Sequence, residues 1–132
     1  MKKQRLMTPG PTQVPEESLL TLARQVTHHR TPQCEMMFRR VTESVRLLLR
    51  TEGKVFFVTG SGTAGMETAL MNIVAPGETI LVLSSGKFSE RWAEMGTVFG
   101  ANVITHSVPW GETFSTGAVT ATLRAHPETT AV

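Results

Sequence analysis

A chain of 132 residues is long enough for one modest domain with a core and too short for two well-formed ones. Apolar residues make up 40% of it and charged residues 18%, which excludes a disordered or low-complexity chain. The net charge is only +2 and the basic residues are scattered among acids, so no nucleic-acid partner is expected.

The one tight basic group, Lys2, Lys3 and Arg5, runs into Met7-Thr8-Pro9-Gly10-Pro11, which cannot serve as the apolar stretch of an export signal. No apolar run approaches the ~20 residues needed to span a bilayer. With a single cysteine, Cys34, the chain has no internal disulfide framework. The expectation is a soluble, cytoplasmic protein.

In chain order, the prolines and glycine of Thr8-Pro9-Gly10-Pro11-Thr12 make residues 1–14 an extended, turn-rich arm. Pro15, Glu16 and Glu17 predict a helix start, with the helix running to about Val26, because proline fits the first helical position and carboxylates the positive dipole end. Pro32 opens a second helix, in which Met36, Met37, Val41, Val45, Leu48 and Leu49 recur at helical spacing as far as Thr51-Glu52-Gly53.

Lys54 to Thr59 is a β-branched and aromatic run that predicts a strand. It feeds Gly60-Ser61-Gly62-Thr63-Ala64-Gly65 and then a helix over Met66 to Val74. Thr79 to Leu83 reads as a strand, Glu90 to Phe99 as a helix stopped by Gly100, and Asn102 to Val108 as a strand. Ser115 or Thr116 caps a helix to about His126, and a last strand begins at Thr129. Such alternation predicts an α/β fold with a mainly parallel sheet and flanking helices. Because the final strand begins just before Val132, the expectation is a truncated fold, with residues 15–132 an incomplete domain.

The glycine loop carries the chemistry. Backbone N–H groups at a helix start are unpaired and the dipole adds positive charge, so a strand, glycine loop and helix attract a phosphate. Gly60 and Gly62 allow close main-chain approach, and Ser61 and Thr63 add hydroxyl donors. Two other readings of these residues stand beside this one. The glycines could make only a tight turn, or Gly60, Gly62 and Gly65 could form a dinucleotide fingerprint. The dinucleotide pattern expects an acid after the next strand, where Ser84-Ser85-Gly86 stands, so it survives only as an NADP-binding dehydrogenase alternative using Ser84, Ser85 and Lys87. His28, His29 and Cys34 lack the spacing of a closed metal site, and no metal is expected.

Four ordered segments resemble the class V aminotransferases of the alanine-glyoxylate and serine-pyruvate type. They are Leu6-Met7-Thr8-Pro9-Gly10-Pro11-Thr12, His29-Arg30-Thr31-Pro32, Thr59-Gly60-Ser61-Gly62-Thr63-Ala64-Gly65-Met66-Glu67, and Gly86-Lys87-Phe88-Ser89-Glu90-Arg91-Trp92. The resemblance implies part of the large domain of a fold type I pyridoxal-phosphate enzyme, with the cofactor phosphate on Ser61, Gly62 and Thr63 and the pyridine ring against Phe88. It implies a substrate-site entry at Gly10. Small amino acids and 2-oxo acids are the implied substrates, and a homodimer the implied full-length form.

Transamination also needs a Schiff-base lysine and an acid against the ring nitrogen. In the resembling family both lie beyond the matched region, and neither Lys54 nor Lys87 matches the lysine. No catalytic residue is therefore assigned within this chain, which is expected to be inactive alone. A non-catalytic remnant is the other alternative.

Overall fold

The computed structural model describes residues 5–132, so Lys2 and Lys3 of the basic group lie outside the described residues. The chain forms two compact units that divide between Phe56 and Phe57. Among the described residues, no helix is long and apolar enough to cross a membrane.

The first unit holds two helices, α1 (Glu16–Leu22) and α2 (Pro32–Leu49). The α1 helix ends four residues before its predicted limit at Val26. A helix this short has few hydrogen bonds to set against nucleation, and Val26 of the β-branched pair Val26-Thr27 is 95% exposed. The α2 helix starts as expected: Pro32 occupies the first turn and the Thr31 hydroxyl accepts from the Cys34 N–H at 3.4 Å. It ends at Arg50, which adopts a left-handed φ of 49°. The Arg46 guanidinium then donates to the carbonyls of Gly53 at 2.9 Å and Glu52 at 3.2 Å, tying down the chain that leaves the helix. Neither helix contains a buried residue.

The second unit is α/β. Its elements are α3 (Gly62–Ile73), β1 (Thr79–Ser84), α4 (Lys87–Val98), β2 (Asn102–Ser107), α5 (Thr116–Ala125) and β3 (Thr129–Ala131). The sheet is parallel in the order β2-β1-β3, with β1 and β2 in register from Thr79↔Asn102 to Ser84↔Ser107. As the central strand, β1 is buried on both sides, which explains its unbroken apolar run. Ile80 and Val82 join Leu70 of α3 and Met95 of α4 in the core, while Leu81 is the most deeply buried side chain at 1% exposure. Gly96 lets α4 press onto the sheet, since a Cβ there would meet Ile80 Cδ1 at 2.7 Å and Val103 Cγ2 at 2.9 Å. Gly100, at φ +82°, ends α4 as expected, and the Ala101 N–H returns to the Gly96 carbonyl at 2.9 Å.

Two sequence expectations need correction here. Residues 54–59 form no strand, and Phe56 is 80% exposed. A strand needs a ladder, and the ladders of the described sheet join only β1 with β2 and β1 with β3. The helix expected from Met66 begins instead at Gly62, because Ser61 caps it and glycines at the first and fourth helical positions are tolerated there. Gly62 and Thr63 thus belong to the first turn of a helix and not to the loop before it.

Candidate functional site

The site begins with the way Gly60 and Ser61 start α3. A Cβ at Gly60 would lie 2.9 Å from the Ala64 Cβ, so only glycine lets the chain turn back this closely onto the first helical turn. Ser61 is extended, at φ −75° and ψ 168°. Its hydroxyl accepts from the Ala64 N–H and its carbonyl from the Gly65 N–H, both at 3.2 Å. The N–H groups of Gly62 and Thr63 have no acceptor among the described residues. Space beside Gly62 is open, since a Cβ there would meet nothing within 4 Å. Two unpaired donors at a positive dipole end, next to open space, suit a phosphate ester. The Ser61 oxygen is engaged as the cap, but its hydrogen remains available to donate.

Phe88 stands in the first turn of α4 at 57% exposure. The Ser89 hydroxyl organises that turn, accepting from the N–H groups of Ser85 at 3.0 Å and Gly86 at 3.1 Å and donating to the Gly86 carbonyl at 2.7 Å. Arg91, three residues after Phe88 and so on the same helix face, lies with its guanidinium carbon 5.9 Å from the Phe88 ring centre. It also donates to the Thr63 hydroxyl at 3.0 Å. Through Arg91 the structure links two expected site residues, Thr63 and Phe88, that are 25 positions apart in sequence. Sequence reasoning gives Arg91 no role of its own. Its spacing from Phe88 is the signal that could have found it.

Lys87 is held as an ammonium. It lies 3.0 Å from Glu90 and 4.0 Å from Glu94, and the hydrogen bond and charge of Glu90 raise its pKa above the ordinary lysine value. A lysine that attacks a carbonyl needs the opposite shift. Gly10 belongs to the first unit, in an exposed bend where the Thr8 hydroxyl donates to the Pro11 carbonyl at 2.9 Å. His28 and His29 stack with ring centres 4.6 Å apart, and among the described residues no three His, Cys, Asp or Glu side chains converge as metal ligands.

No protein-family model matches the chain. It is 44% identical over 110 residues to the soluble hydrogenase 42 kDa subunit of Anabaena cylindrica, covering 83% of this chain and 29% of that protein. It is 36% identical over 108 residues to the L-aspartate–glyoxylate aminotransferase of Paracoccus denitrificans, covering 81% of this chain and 27% of that one. Its fold matches the crystal structure of alanine–glyoxylate aminotransferase from Nostoc sp. with a TM-score of 0.82 and 29% identity, over 96% of this chain and 36% of that one. The chain thus spans about a third of the length of the proteins it matches. Its α/β architecture is that of pyridoxal-phosphate-dependent aminotransferases, and the dehydrogenase alternative is not favoured. The chain's homologues are class V aminotransferases and its structural neighbours pyridoxal-phosphate aminotransferases, each matched over only part of its length.

Proposed function

We propose that this chain supplies the phosphate loop and the ring-stacking aromatic of a pyridoxal-phosphate-dependent aminotransferase that moves amino groups between small amino acids and 2-oxo acids. The observation that carries the reading is the pair of unpartnered N–H groups on Gly62 and Thr63, opening onto free space at the start of α3. Relatives named for aspartate–glyoxylate and alanine–glyoxylate transfer differ in donor and share an acceptor, which supports a 2-oxo acid substrate without choosing the donor.

Pyridoxal phosphate, when bound, supplies the electron sink for amino transfer. The chain's own residues bind and orient it. Gly62 and Thr63 donate main-chain N–H groups to the phosphate, and the Ser61 and Thr63 hydroxyls add donors to the same dianion. Phe88 packs against the flat ring and restricts its tilt. Gly10 is read as a substrate-binding residue on the family resemblance. No residue of this chain is assigned the role of covalent lysine, and Glu90 raises the Lys87 pKa, the opposite of the shift that role needs. We place residues 1–14 as an arm and 15–132 within one cofactor-binding large domain. The full-length form is read as a cytoplasmic homodimer, supported by the single cysteine and by the exposed apolar residues of α2.

Titration of the chain with pyridoxal phosphate tests the reading. Phosphate hydrogen bonds of roughly 1.5–3 kcal/mol each and stacking of about 1 kcal/mol, less the cost of ordering, give binding in about the millimolar range. Gly62→Asp places a carboxylate where the dianion sits and should abolish that binding. Phe88→Ala should weaken it. Borohydride trapping and peptide mapping should find no specific pyridoxyl-lysine. Equal binding by Gly62→Asp and the unaltered chain would refute the phosphate assignment.

A further inference from the structure

Arg91 combines three features that its place in α4 does not require. Its guanidinium reaches from α4 to α3 and donates to Thr63 Oγ1 at 3.0 Å, across 28 positions of sequence. Its guanidinium carbon lies 5.9 Å from the centre of the Phe88 ring. It also forms no ion pair with a carboxylate among the described residues, although it is half-buried. A guanidinium is always charged and carries five N–H donors, so beside a positive helix end it adds to the attraction for an anion.

The hydrogen bond also decides what Thr63 can do. A hydroxyl has one hydrogen to donate and two lone pairs to accept with. Because Arg91 can only donate, it occupies a lone pair of Thr63 Oγ1 and leaves the hydroxyl hydrogen to be given elsewhere. Among the described residues that hydrogen has no acceptor, and the unpartnered N–H groups of Gly62 and Thr63 are in the same helical turn.

We propose that Arg91 is a positioning residue of the phosphate site: it fixes the Thr63 hydroxyl as a donor toward a bound phosphate ester and holds positive charge behind that donor. The inference rests on the reading that this loop binds phosphate, and it adds a residue outside the loop.

The test compares binding of pyridoxal phosphate and of pyridoxal, which lacks the phosphate, to the full chain by tryptophan fluorescence. Arg91→Gln and Thr63→Val should each weaken pyridoxal phosphate by about tenfold, the worth of one charge-assisted hydrogen bond, and leave pyridoxal within about twofold. Thr63→Ser, which keeps the hydroxyl, should retain the affinity. The double variant should fall within about twofold of either single one, because the two residues act through one bond. If Arg91→Gln folds poorly, the Thr63→Val and Thr63→Ser pair reads the same bond from its other end. Unchanged affinity in Arg91→Gln, equal weakening of both ligands, loss in Thr63→Ser, or losses that multiply in the double variant would each overturn the proposal. Gly62→Asp separates the two levels. If it removes the preference for the phosphorylated ligand and Arg91→Gln keeps it, the positioning role alone is wrong. If the unaltered chain shows no such preference, the phosphate site falls and the role of Arg91 with it.

Discussion

Helices α2 and α4 are written in the same code and end in different environments. Both carry apolar residues at helical spacing opposite charged ones, and both begin on a well-formed first turn. Yet α4 buries Met95 and Gly96 against β1 and β2, whereas α2, longer by six residues, buries none. An apolar stripe states that a face wants cover and does not supply it. For α4 the cover is a strand of its own unit, and a glycine at the closest contact sets how near the helix comes.

The contrast can be broken most directly at β1. Leu81→Ala should cost about 2–5 kcal/mol, through lost burial and the cavity left behind, read as a lower urea midpoint at unchanged slope. A negligible loss would mean that the second unit's core is not what holds it together. Gly96→Val is the next largest. Its branched side chain must displace Ile80 or Val103, for a loss of about 1–3 kcal/mol by the same measurement. No loss would show that α4 can move off the sheet at little cost. The smallest effect should come from Leu48→Ala in α2, within about 0.5 kcal/mol, because Leu48 is 79% exposed. A loss matching that of Leu81→Ala would instead reveal that α2 is covered in solution, and the contrast between the two helices would disappear.

The loop at residues 60–65 is legible in the sequence because its signal is local. Glycines at a helix start leave donors unpaired whatever surrounds them, and a serine before them makes a cap. Phe88 and Gly10 are reached only through resemblance, since an exposed aromatic or a turn glycine has no distinctive local chemistry. The spacing of Arg91 from Phe88 is a local signal, but its bond to Thr63 has none, because Thr63 is distant in sequence and only the packing of α3 and α4 brings them together.

The cap at Ser115, the stop at Gly100 and the helix start at Pro32 are determined by sequence alone, because each depends on torsions and hydrogen bonds within a few residues. The run from Lys54 to Thr59 marks the other side of that boundary. Its residues favour a strand, but strand formation is a property of two chains of hydrogen-bonding groups, and this run is not laddered to any of the three described strands. Tertiary structure likewise decides that β1 is central and doubly buried, that Gly62 and Thr63 fall inside a helix's first turn, and that a guanidinium from α4 meets one of them. Each of these depends on a partner far away in sequence, and local propensity holds no information about where that partner will be.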